Sequence, residues 1–183
     1  ARFASLKQIA LCPRRNADQV QSSYAIASRI NPNIQYYWWR IGSSVIPNKA
    51  VYLENAQNTS GYGEAYAELL KAWHALHTTA NSTCLGTEYN VYDAAPTGAA
   101  TYVQTAAEAV GSTTYKNGFV IAQELESFAQ RNDLLLSGMN TLSSQVFFEC
   151  QIGTATSGAY TLDFFAWYDH ILILQDGILS VKF

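Results

Sequence analysis

Charge is scarce in this chain. Asp, Glu, Lys and Arg make up 14% of its 183 residues, where an average domain carries about 25%. Net charge is −3, so the basic face of a dedicated nucleic-acid-binding domain is missing. The one basic cluster, Arg14-Arg15, reads as a solvated loop and is too small for a genome-binding arm. Direct sequence-specific contact with nucleic acid is therefore not expected.

Cysteine is nearly as sparse. Cys12, Cys84 and Cys150 are odd in number and lack CxxC spacing. That argues against a disulfide framework and for reduced, mostly buried thiols, which leans towards an intracellular site of folding. Asn58-Thr59-Ser60 and Asn81-Ser82-Thr83 match the glycosylation acceptor pattern, which matters only in a secreted chain. No apolar run reaches the ~18 residues of a membrane span. The nearest, 160–174, is broken by Asp163, Asp169 and His170, and no signal-peptide pattern opens the chain. Its first residue is Ala1 rather than Met, as in a processed product or a piece of a longer protein.

Catalytic motifs are missing too. HExxH, GxSxG, a Walker loop and GxGxxG do not occur, and each would carry a defined chemistry. His74 and His77 stand i, i+3 and could share a ligand, yet a zinc site needs three or four. Asp163 and Asp169 lie on one strand, about 20 Å apart, too far to act on one bond. Asp163 should point outward and Asp169 should mark a bulge or strand end. Cys150, inside a strand, reads as a small buried apolar residue. No enzyme activity, metal or cofactor is expected.

What the chain has is hydrophobic and aromatic residues, at 49% and 13%. Residues 1–33 show weak periodicity, with Pro13 and Pro32 as breaks and a partial alternation at 22–30. In "IQYYWWRIG" (34–42), period two puts Tyr36, Trp38 and Arg40 on one face and Tyr37, Trp39 and Ile41 on the other. Gly42-Ser43-Ser44 reads as a tight turn. "GEAYAELLKAWHALH" (63–77) has helical spacing, with Tyr66, Leu69, Leu70, Trp73, Leu76 and His77 forming the apolar stripe. Residues 80–118 are polar and loop-like, with a short helix at 101–110. Strands are expected over 119–126 and 143–153, with a helical turn at 127–132 between them. From 160 a long strand is expected, broken near Asp169 and closed by a hairpin at Asp176-Gly177. Many strands, one helix and no βαβ alternation predict a mainly β fold. The expected form is an antiparallel jelly-roll sandwich with one inserted amphipathic helix at about 63–78.

"YYWWRIGSSVIPNKAVYLENA", "AYAELLKAWHAL", "NGFVIAQELES", "SGMNTLSSQVFFECQI" and "YTLDFFAWYDHILILQDGILSVKF" occur in this order. Over about residues 24–183 the series resembles the C-terminal jelly roll of double-jelly-roll major capsid proteins, nearest to those of virophages and Polinton-type viruses. The carriers are Arg40-Ile41-Gly42-Ser43 with Pro47, the SG-x-NT-x-x-SQ segment from Ser137 to Gln145, and Asp163–Asp169 before the closing hairpin. The resemblance implies a structural protein of a DNA virus, folded in host cytoplasm or nucleus and resident in the virion. It implies other capsid protein copies as partners, in a trimer or pseudohexameric capsomer, or a pentamer for a penton.

The family's major protein holds two jelly rolls and 183 residues hold one. The chain is then a single domain over 1–183: a fragment, one half of a two-jelly-roll protein, or a single-jelly-roll relative. Tyr36, Trp38, Phe165 and Trp167 are the candidate residues for packing between subunits or domains, since a strand apolar on both sides needs both faces covered. Alternate residues from Phe164 to Trp167 should divide between core and contact. The alternative reading is a jelly-roll module binding carbohydrate or another ligand through part of the aromatic run.

Overall fold

The computed structural model describes residues 2–16, 29, 31–53, 63–73, 89, 118–126, 137–153 and 159–182. The strand expected at 22–30 apart from Arg29, the helix end 74–78 with His74 and His77, Cys84, the glycosylation patterns, the short helix at 101–110, the turn at 127–132 and Phe183 lie outside them.

Among the described residues, eight strands and one helix follow one another as β1 (Leu6–Arg15), β2 (Ile34–Ile41), β3 (Ser44–Tyr52), α1 (Gly63–Ala72), β4 (Ile121–Glu124), β5 (Val146–Ile152), β6 (Tyr160–Tyr168), β7 (Ile171–Gln175) and β8 (Ile178–Lys182). They form sheets ordered β4-β1-β6 and β3-β2-β5 and a separate β7-β8 pair. All ladders between these strands are antiparallel, so the fold is mainly β, as composition and pattern predict.

The core joins the two larger sheets. Leu6, Ile9, Leu11 and Ile121 from one pack with Tyr37, Trp39, Ile41 and Val51 from the other. Trp39 meets Phe164 edge-on across them, with ring centroids 6.1 Å apart. The period-two reading of β2 holds: Tyr37, Trp39 and Ile41 are buried, and Tyr36, Trp38 and Arg40 are half-buried. Gly42, with φ of 59°, opens the β2–β3 turn. Asp176 and Gly177, both at positive φ, give the β7–β8 turn the mirror-image geometry that suits a twisted ribbon.

Two expectations about the opening residues need correction. Pro13 does not break the chain; β1 runs through it. β4 pairs only with Gln8–Leu11, so Pro13 sits where β1 has become an edge on that side, and its missing N–H costs no bond in that ladder. Arg14 is not in a loop either, but pairs with Asp163. The weak periodicity has a physical cause: Gln8, Ile9, Ala10 and Leu11 are all buried, so both faces of β1 are covered and alternation disappears.

The helix stripe is also rotated from its expected position. Ala65, Leu69 and Ala72 are buried, whereas Tyr66, Leu70 and Trp73 are half-buried. Small residues on the buried face allow the helix to approach β4 closely, and the bulky rings flank it. Gln123 Nε2 donates to Glu68 Oε2 at 3.2 Å. Glu64 ties the helix start to β3, accepting from Lys49 Nζ at 2.7 Å and from the Tyr52 amide at 3.2 Å. Glu68 and Lys71, three residues apart on the helix, form an ion pair.

Candidate interaction surface

Of the four candidate packing residues, Tyr36 and Trp38 lie on the outer face of β2. Their neighbours follow from the ladders: Tyr52 and Gln151 lie opposite Tyr36, Glu149 opposite Trp38, and Phe147 and Val45 opposite Arg40. Tyr36 and Trp38 stack at 5.7 Å with their planes 13° apart, and Tyr52 leans on Tyr36 at 5.6 Å. Glu149 binds the row together, accepting from Trp38 Nε1 at 2.7 Å and from Arg40 Nε at 2.6 Å. The Arg40 guanidinium lies 4.4 Å from the Phe147 ring centre, within cation–π reach. The bonds from Arg40, then Trp38, hold the Glu149 carboxyl below its usual range. Sequence reasoning placed Arg40 on this face but missed Tyr52, Phe147 and Glu149, which reach it only through strand register.

Phe165 and Trp167 belong to the other sheet. On β6 they face outward beside Ala10 and Gln8 of β1, while Phe164 points to Trp39. The candidates thus form two separate patches, one on each sheet. The expected division of β6 into a buried and a contact face is corrected. Phe164, the inward residue, is 55% exposed, more than Phe165 at 48% or Trp167 at 47%. Among the described strands β6 is an edge strand, so even its inward ring is covered from one side only. Cys150 is corrected for the same reason: it lies on the edge strand β5 and is exposed rather than buried, and Cys12 is half-buried.

Beyond β6 the chain breaks at Asp169–His170, as expected, and enters β7. Asp169 is fixed there. Its amide donates to the Ser5 carbonyl at 3.0 Å, and its carboxylate accepts from Ser5 Oγ at 3.0 Å and pairs with Lys7 at 3.3 Å. Lys7 also pairs with Glu126 at 3.1 Å, which accepts from Ser137 Oγ at 2.7 Å. This knot joins β1, the end of β4, the 137–139 segment and the β6–β7 junction. Sequence reading missed it, because its members are spread from residue 5 to residue 169.

Among the described residues no group of three or more His, Cys, Asp or Glu could hold a metal ion. No helix of the described residues is long and apolar enough to cross a membrane. No family model matches this chain, and no curated protein or solved structure matches it.

Proposed function

We propose that this chain is a structural component of an icosahedral viral capsid, a jelly roll that self-assembles through lateral contacts with other capsid protein copies. The observation that carries the reading is the exposed apolar surface of β6 and the hairpin after it. Phe164, Phe165, Trp167, Leu172, Leu174, Ile178 and Leu179 are each 47–72% exposed. Large apolar side chains left exposed on successive elements mark an interaction site in a protein that stays in solution. The antiparallel two-sheet body and the motif resemblance support a shell role over a catalytic one. A trimer or pseudohexameric capsomer suits a major capsid protein, and a pentamer suits a penton.

Electron microscopy and sedimentation of the purified protein test this. Shells or a discrete ring-like oligomer are expected. A stable monomer at high concentration sinks the reading. The carbohydrate-binding alternative has weaker support, because Tyr36 and Trp38 turn their ring faces to each other, whereas a sugar platform needs faces open to the ligand.

A further inference from the structure

Among the described residues, none covers the β7–β8 hairpin. Every described side chain from Ile171 to Val181 is exposed, on both faces. Seven of them are Ile, Leu or Val, open by 37–72%. They are divided between the two faces, Leu172, Leu174, Leu179 and Val181 on one and Ile171, Ile173 and Ile178 on the other, and clustered exposed apolar side chains of this kind mark an interaction site. Among the described residues β7 and β8 pair only with each other, and an isolated two-stranded hairpin is marginal in water.

Three occupants compete for this surface. A bilayer fits poorly: the hairpin leads with Gln175-Asp176-Gly177, so a carboxylate would enter first, and lipid cannot bond the free strand edges. The described part of the chain's own body does not cover the hairpin either: it leaves from Asp169, pinned to Ser5 and Lys7 where β6 ends, and its described side chains from Ile171 to Val181 are exposed. A second copy fits best. Among the described strands, each copy carries an apolar hairpin without a sheet and, at β6, a sheet edge without a strand, flanked by exposed Phe164, Phe165 and Trp167. Addition of a strand to such an edge satisfies backbone and side chains together.

We propose that the β7–β8 hairpin is an exchange arm that adds to the open edge of β6 in a second copy and covers its Phe165 and Trp167. This rests on the self-assembly reading and names the contact that carries it.

The test uses the full chain. Leu174 and Leu179 are cross-strand partners, so Leu174→Glu with Leu179→Lys replaces an apolar pair by an ion pair that the hairpin itself tolerates. Sedimentation velocity should show association weakened by at least ~100-fold, the loss of two buried side chains, with circular dichroism and melting unchanged. In parallel, a photo-cross-linking phenylalanine derivative at position 174 is used in a mixture of isotopically light and heavy copies. Mass spectrometry should place mixed light–heavy cross-links within 160–168. If the wild type associates but the double variant associates equally, or cross-links fall within one copy or outside 160–168, the arm is overturned and self-assembly stands. If the wild type is a monomer at all concentrations, both fail. Preferential binding of the wild type to phosphatidylcholine vesicles, lost in the double variant, would also overturn the arm.

Discussion

Lys7 and Asp169 form a 3.3 Å ion pair at the point where β6 stops and the exposed hairpin begins. The same ammonium meets Glu126, whose side chain is 1% exposed. Removing one partner of a buried pair strands the other charge, at about 3–5 kcal/mol. Lys7→Met should therefore lower unfolding stability by about 3 kcal/mol in urea titrations. Burial opposes the Lys7 charge, but the Glu126 and Asp169 carboxylates outweigh it and its pKa is raised. The folded value exceeds the unfolded one, so this stabilisation is whole below about pH 10.4 and is lost as pH rises through the folded value. On the alkaline side, the gap between wild type and Lys7→Met should persist until the solution is strongly alkaline. An equal midpoint for the two proteins at neutral pH would remove the knot from the fold's energetics.

A second pH effect belongs to Glu149 and runs in the opposite direction. Arg40 and Trp38 depress its pKa, so its contribution is present above the ordinary glutamate value of about 4.3 and is lost as pH falls through the lower folded value. Trp38 donates directly to this carboxylate. Tryptophan emission should shift on acidification below about pH 4.3, and Glu149→Gln should abolish that shift. An identical acid transition in the variant would assign it to another group.

Gly138 is a packing constraint. A Cβ there would stand 2.5 Å from the Leu6 carbonyl oxygen and 2.9 Å from the Lys7 amide nitrogen, both backbone, which cannot swing aside. It would force apart the paired bonds between Leu6 and Met139, at 2.9 and 2.8 Å. Gly138→Ala should cost about 2–3 kcal/mol, as overpacking does. Gly63→Ala, with open space around it, should be neutral or slightly stabilising, since Ala suits a helix better. Thermal melts of the two variants decide this; a wild-type melt for Gly138→Ala would refute the close approach.

Tyr37 gives a prediction of the opposite sign. Its ring is fully buried, and its hydroxyl has no hydrogen-bond partner among the described residues. Burial, then the nearby Glu68 and Glu64 carboxylates, push its pKa far above the ordinary tyrosine value. An unpaired buried hydroxyl costs about 1–3 kcal/mol. Tyr37→Phe removes it at nearly constant shape, so stability should rise by up to about 1 kcal/mol. A clear loss in denaturant unfolding would mean that the hydroxyl is bonded after all.

What the sequence determined by itself was local. Alternation in 34–41, the Gly42 and Asp176-Gly177 turns, the strand break at Asp169 and the existence of α1 all depend on residues within a few positions of one another. Periodicity and turn chemistry report such things directly. Tertiary structure alone decided the rest. β1 left no alternation because it is covered on both faces, and Pro13 is tolerated because β4 ends before reaching it. The aromatic row of Tyr36 and Trp38 gained Tyr52, Phe147 and Glu149 only through strand register. Phe164 and Cys150 have the sequence of core residues, yet edge position leaves them open. Local pattern states which faces are apolar; whether a second layer lies over them depends on where distant segments dock, and that energy is non-local.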